Sequence, residues 1–217
     1  MGGIKHGTLD YKNIFFADEK IFRIGSEANE SSQNRRCWVD KDIPKKKVAQ
    51  KHIVRGKSRG GISVMCSLGV SSRGVGTLSF VERGVKINKE VFLDLVKNVY
   101  YPDMRMTLGN DAVFMQDGAT SHTAKVVTAF IKTCDFKVLE PWPANSPDLT
   151  VMDYAIWGIL CGAVQKQNPG SEVDLKVAIR RAVMDLGLDV VQRAVDQFPK
   201  RLAMCVECEG ENFEYKM

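Results

Sequence analysis

The spacing of apolar and polar positions changes along the chain, and the changes mark three stretches. Near the amino end, residues 14–18 and 21–24 are dense in apolar and aromatic side chains around a polar break at Asp18-Glu19-Lys20. This pattern predicts two short strands. Residues 36–39 read as another strand. Residues 61–70 alternate and are rich in Ile, Val and Met, which predicts a central strand. Ser71-Ser72-Arg73-Gly74 has turn chemistry, and residues 76–81 are the expected hairpin partner. After that, helical and strand patterns take turns. Asn88 is a predicted N-cap for a helix to Val99, with Glu90 in its first turn and Val91, Leu95 and Val99 on one face. Residues 112–116 predict a short buried strand ending at Asp117, residues 122–133 a helix, and residues 136–139 a strand. Pro141, Pro143 and Pro147 punctuate a loop. The final stretch is helical: a strongly apolar helix over 151–167, then helices near 172–186 and 190–205. Strands first, then alternation, then helices predict an α/β chain with a central mixed sheet flanked by helices.

Composition narrows the class. With 217 residues, 44% hydrophobic and 26% charged, the chain has globular composition, and a single domain over residues 1–217 is expected. No apolar run approaches the roughly 18 residues of a membrane span, and the amino end has no hydrophobic signal core. The expectation is a soluble intracellular protein with no membrane partner. Six cysteines at irregular spacing read as reduced thiols rather than a secreted disulfide scaffold. The net charge of +5 is compatible with a nucleic-acid partner. It is concentrated: residues 41–59 hold eight basic side chains (Lys41, Lys45, Lys46, Lys47, Lys51, Arg55, Lys57, Arg59) against one acid, Asp42, with no apolar period. That stretch is predicted to be a loop. Cations gathered this way displace counterions from a duplex, and the plainer alternative is a solvated charged loop.

Three acids stand where strand or helix patterns meet loops: Asp18, Asp117 and Asp153. A short carboxylate held rigidly there is a hard oxygen ligand suited to Mg²⁺ or Mn²⁺. Taken singly, each reads first as a turn former or a helix cap, and the surrounding text is what favours metal ligation. Cys205-Val206-Glu207-Cys208 lacks the second ligand pair of a closed zinc site. Gly74-Val75-Gly76 is a turn rather than a dinucleotide loop. Trp142 and Trp157 read as packing groups.

The surrounding text adds a resemblance. Phe16-Ala17-Asp18-Glu19-Lys20 is similar to the first catalytic block of Tc1/mariner transposases. Gln116-Asp117-Gly118-Ala119-Thr120-Ser121-His122 resembles the second. Trp142-Pro143-Ala144-Asn145-Ser146-Pro147-Asp148-Leu149, followed by Asp153-Tyr154 and Trp157-Gly158, resembles the third. Ser63-Val64-Met65 with Gly74-Val75-Gly76 is similar to the family's central hairpin, and Phe198-Pro199-Lys200-Arg201-Leu202 to its C-terminal segment. The resemblance implies an RNase H-like catalytic domain. It implies a DNA endonuclease and strand transferase acting in cut-and-paste transposition, with Asp18, Asp117 and Asp153 as catalytic residues and ligands of two Mg²⁺ (or Mn²⁺) ions. Asp148 is the runner-up for the third place. Thirty-five residues (118–152) separate the second and third acids, one more than is usual in the family. Glu19 is an outer-sphere candidate, although strand alternation points it away from Asp18. His122 is offered as active-site support that orients a phosphate or water; the plainer expectation is a histidine at a helix start, satisfied by backbone.

The resemblance further implies double-stranded DNA as partner, contacted by Lys45, Lys46, Lys47, Lys51, Arg55, Lys57 and Arg59. It implies a homodimer on DNA, a nuclear setting and no small-molecule substrate. The family's N-terminal helix-turn-helix region has no counterpart in these residues. The alternatives are a transposase-derived DNA- or protein-binding module without cleavage, and a general RNase H-like nuclease.

Overall fold

The computed structural model describes residues 9–24, 61–143 and 146–217. The expected strand at 36–39 and the basic stretch 41–59, with Lys45, Lys46, Lys47, Lys51, Arg55, Lys57 and Arg59, lie outside the described residues.

Six strands form one mixed sheet: β1 (Ile14–Arg23), β2 (Ser63–Ser71), β3 (Gly74–Val75), β4 (Ser79–Val81), β5 (Val113–Met115) and β6 (Lys137–Val138). Their order is β3-β2-β1-β5-β6, with β4 also pairing with β2. β1 and β2 are antiparallel, whereas β1, β5 and β6 run parallel. β1 is therefore the hinge of the sheet, carrying a hairpin on one side and the parallel strands on the other. The helices are α1 (Lys89–Leu95), α2 (Tyr101–Thr107), α3 (Lys125–Ile131), α4 (Trp157–Lys166), α5 (Glu172–Met184) and α6 (Leu188–Glu207).

Alternation along β1 builds both cores. Ile14, Phe16 and Phe22 face one way, into a cluster with Trp157, Leu160, Ile179, Val195 and Phe198 from α4, α5 and α6. Phe15 and Ala17 face the other way, toward Phe92, Leu95, Tyr100, Met104 and Val127. A sheet covered on both faces is the three-layer arrangement in which strands read as nearly continuous apolar runs. Gly69 is fixed by this packing. A Cβ there would stand 2.1 Å from the Phe15 ring.

Several expectations change. The two predicted strands at 14–18 and 21–24 are one, because the ladder runs unbroken from Phe16↔Val70 to Arg23↔Ser63 through the polar residues. Backbone pairing does not register side-chain polarity, and Asp18, Glu19 and Lys20 each find partners off the sheet. Strand β2 lies beside the centre, not at it. The predicted turn and hairpin partner pair as two pieces, β3 at the end of the expected 71–74 turn and β4 within the expected 76–81 strand. The buried Asp103 carboxylate draws Thr77 out of the ladder, accepting from its backbone N–H at 2.6 Å and its hydroxyl at 2.8 Å.

Asn88 does cap α1, accepting from the Val91 N–H at 2.9 Å. The helix then widens through a π-helical turn, Val96–Tyr100, before α2. The buried face is Phe92, Leu95, Val96 and Tyr100, at i, i+3, i+4 and i+8, rather than Val91, Leu95 and Val99. A second π turn, Met152–Ile156, opens the predicted 151–167 helix. π turns of this kind are frequent at functional sites.

Candidate active site

Parallel pairing sets the first two acids level. Phe16 is opposite Met115 in the β1–β5 ladder. Two residues beyond that pair along each chain segment are Asp18, still in β1, and Asp117, past the end of β5. Asp18 is not at a strand end, as the sequence pattern implied; it lies in the middle of β1, while β5 stops before Asp117. Asp153 enters from the third layer, in the π turn that precedes α4.

Asp18 points into the larger core, where Trp157 Nε1 donates to its Oδ2 at 2.6 Å. Trp157 is buried against Phe22, with ring centroids 6.1 Å apart. Burial pushes the Asp18 carboxyl up to about 7, and the charges of Asp153 and Glu19 add to the rise. Asp153 is raised in turn, by desolvation and by the charge of Asp117, with Lys20 opposing. Three segments far apart in the chain thus bring three carboxylates into one neighbourhood, where Asp153 feels Asp117 and Asp18 feels Asp153. They do not close into a ready coordination shell: among the described residues, no group of three His, Cys, Asp or Glu side chains is placed to hold a metal ion.

Asp117 behaves differently. Its Oδ1 accepts from the Ala119 N–H at 3.0 Å and lies 2.6 Å from His122 Nδ1. The latter contact is set by charge and proximity rather than by hydrogen-bond alignment. Together they hold the Asp117 carboxyl below its usual range, His122 first among the causes, against a partial desolvation. The His122 ring is 4% exposed and stacks on Phe92 at 3.7 Å between centroids. Its Nε2 is 3.3 Å from Glu19 Oε2. Burial would lower the His122 pKa, but the contacts with Asp117 and Glu19 outweigh it and carry the value to about 9. Tyr100 OH completes the line, donating to Glu19 Oε1 at 2.7 Å.

His122 is therefore not a helix-start histidine satisfied by backbone. It precedes α3, which begins at Lys125, and it bridges two carboxylates. Glu19 does point away from Asp18, as alternation requires, and meets Asp117 through His122. Sequence reasoning did not anticipate Trp157 as the partner of Asp18, nor Tyr100 and Phe92 around His122. One signal was present: Trp157 follows Asp153 by four residues, one helical turn. Asp148, the runner-up acid, sits elsewhere. Arg201 Nη1 donates to its carbonyl at 2.8 Å, and its charge, after burial, raises the Cys205 thiol. Cys205 packs with Leu149 and Phe213, and Trp142 stacks on Phe198.

No family model matches the chain. The Tcb1 transposase of Caenorhabditis briggsae is 24% identical over 217 residues, covering 96% of this chain and 72% of that protein. The Mos1 mariner transposase of Drosophila mauritiana is 24% identical over 212 residues, and the chain spans 56% of its length. Among solved structures, the catalytic domain of Mos1 superposes with a TM-score of 0.71 at 20% identity, covering 94% of this chain and 85% of that one. The Mos1 paired end complex with Mn superposes at 0.75 and 23% identity, covering 94% of this chain and 58% of that one. Along nearly all of its sequence, and in its RNase H-like fold, the chain resembles the catalytic domain of Tc1/mariner transposases.

Proposed function

We propose that the chain is the catalytic portion of a cut-and-paste DNA transposase, cleaving DNA phosphodiester bonds and transferring the freed strand. One observation carries this reading. Asp18, Asp117 and Asp153 arrive from three distant segments, and mutual repulsion with burial holds Asp18 near pH 7 for its proton. Carboxylates gathered against their own repulsion suit a divalent cation in charge and in donor type, since all three supply hard oxygens.

Asp18, Asp117 and Asp153 are the residues that would hold Mg²⁺ or Mn²⁺. A divalent ion bound there polarises a phosphoryl oxygen and lowers the pKa of a water or 3′-hydroxyl. The chain's own groups prepare that site. Trp157 fixes one Asp18 oxygen. His122, protonated at neutral pH, keeps Asp117 ionised and oriented. The Asp18 carboxyl, pushed up to about 7, would ionise more readily once a bound cation relieved the repulsion. Burial on both faces of β1 makes the placement rigid.

Double-stranded DNA is the proposed substrate, with Lys45, Lys46, Lys47, Lys51, Arg55, Lys57 and Arg59 contacting phosphates. Two copies acting on paired DNA ends, in the nucleus, complete the reading; solved Mos1 relatives include a paired-end complex with a left transposon end. The test is Mg²⁺- or Mn²⁺-dependent nicking of a duplex by the wild-type chain, with Asp117→Ala as control. Metal-dependent nicking that disappears in the variant is the expected result. Equal nicking by both proteins, or nicking indifferent to chelator, overturns the proposal.

A further inference from the structure

Asp117 lies two residues beyond the end of β5, on a stretch with no ladder partner, and its side chain is 56% exposed. An aspartate there would ordinarily sample several rotamers, yet the reading above needs its oxygens at one place. A line of side chains runs from it into the core. His122 Nδ1 meets Asp117 at 2.6 Å, His122 Nε2 meets Glu19 at 3.3 Å, and Tyr100 OH meets the other Glu19 oxygen at 2.7 Å. Phe92 stacks on the imidazole, and Phe92 and Tyr100 belong to the same buried cluster.

We propose that Glu19 and Tyr100 are positioning residues for Asp117, acting through the His122 ring. The proposal rests on the reading of Asp117 as a metal ligand. Glu19 follows Asp18 on β1, so alternation sends the two carboxylates to opposite faces of one strand. Asp18 meets the site directly. Glu19 reaches it past the end of β5, through His122. The separation of Asp18 from Asp117 is then set by a single strand and one imidazole, rather than by the loop that carries Asp117.

Stability alone does not account for this arrangement. Glu19 has a side chain only 11% exposed, and a nearly buried ion pair is commonly no more stabilising than well-packed apolar residues of the same volume. Outer partners that orient a ligand, by contrast, repay their cost in metal affinity. Tyr100 fits that role. Burial, with the charge of Glu19, pushes its hydroxyl well above the usual range, so it stays a donor.

The experiment measures Mn²⁺ affinity by calorimetry on the full chain, together with amide hydrogen exchange of the metal-free protein. Glu19→Gln keeps the shape and removes the charge; Tyr100→Phe keeps the ring and removes the donor. Asp117→Asn reports on the ligand itself. Asp103→Asn serves as a structural control, a buried carboxylate engaged with Thr77. Glu19→Gln is expected to weaken Mn²⁺ binding roughly tenfold and Tyr100→Phe about threefold. The Ala119 amide, which donates to Asp117, should exchange faster in Glu19→Gln. Asp103→Asn should lower the melting temperature and leave Mn²⁺ affinity at the wild-type value. If Asp117→Asn abolishes binding while Glu19→Gln and Tyr100→Phe bind as wild type, the positioning role is overturned and the metal reading stands. Wild-type Mn²⁺ binding that survives Asp117→Asn overturns the metal reading and the positioning role with it.

Discussion

Replacing Asp18 by Asn removes a negative charge and keeps the side chain's shape. In the folded protein the Asp18 carboxyl is pushed from 3.8 up to about 7, by burial first and then by the charges of Asp153 and Glu19. A carboxyl raised in this way is ionised more readily in the unfolded chain than in the folded one. Its ionisation therefore draws the protein toward unfolding, from about pH 4 upward. A rise of about 3 at roughly 1.4 kcal/mol per pH unit makes the penalty about 4 kcal/mol at pH 8. By the same linkage it is nearer ~2 kcal/mol at pH 5 and vanishes below about pH 4. Asn carries none of this penalty, and its carbonyl oxygen can still accept from Trp157 Nε1. In chelator at pH 8, Asp18→Asn is expected to melt above wild type, by roughly 2–4 °C per kcal/mol for a chain of this size. The gain should shrink to nothing as the pH is lowered to 4. Saturating Mn²⁺ should close the gap from the other side, since a ligand at a hundred times its dissociation constant stabilises by about 2.7 kcal/mol. Thermal melts across that pH range, with and without Mn²⁺, read all three outcomes. A variant that melts at or below wild type at pH 8, or whose gain does not depend on pH, refutes the account of Asp18 as a crowded carboxylate awaiting a cation.

Other outcomes follow from the same geometry. Trp157→Phe keeps an aromatic ring against Phe22 but removes the donor to Asp18, and should cost about 1–3 kcal/mol at pH 8, read by denaturant titration. The loss should be smaller at pH 4, where Asp18 is neutral. His122, raised from 6.5 to about 9, contributes stability that is complete below about pH 6.5 and is lost as the pH rises through 9. Metal-free wild type is therefore expected to lose up to about 3 kcal/mol over that window. His122→Asn should show no such alkaline loss in pH-dependent melts, and a loss of equal size in both proteins would refute the assignment.

Much of the fold could be read from local pattern. Alternation pointed Glu19 away from Asp18, and Asn88 marked a helix start, because period and cap chemistry are decided within a few residues. The text around Asp18, Asp117 and Asp153 singled out the acids and ranked Asp148 behind Asp153; in the fold the Asp148 carbonyl accepts from Arg201.

What the chain could not disclose by itself was set by contacts between distant residues. β1 passes unbroken through Asp18-Glu19-Lys20 because β2 pairs with its backbone whatever the side chains are. The hairpin partner splits because Asp103, from α2, captures Thr77. Tyr100 closes one π turn and Trp157 follows the other, and the two side chains enter separate cores on opposite faces of the sheet. Residue types and spacing singled out the candidate acids and sent Asp18 and Glu19 to opposite faces of one strand. Only tertiary packing decided that Trp157 would hold Asp18, and that Glu19 would reach Asp117 through His122. Hydrogen bonds and desolvation depend on which groups are adjacent in space, and adjacency between segments this far apart exists only once both cores have closed on the sheet.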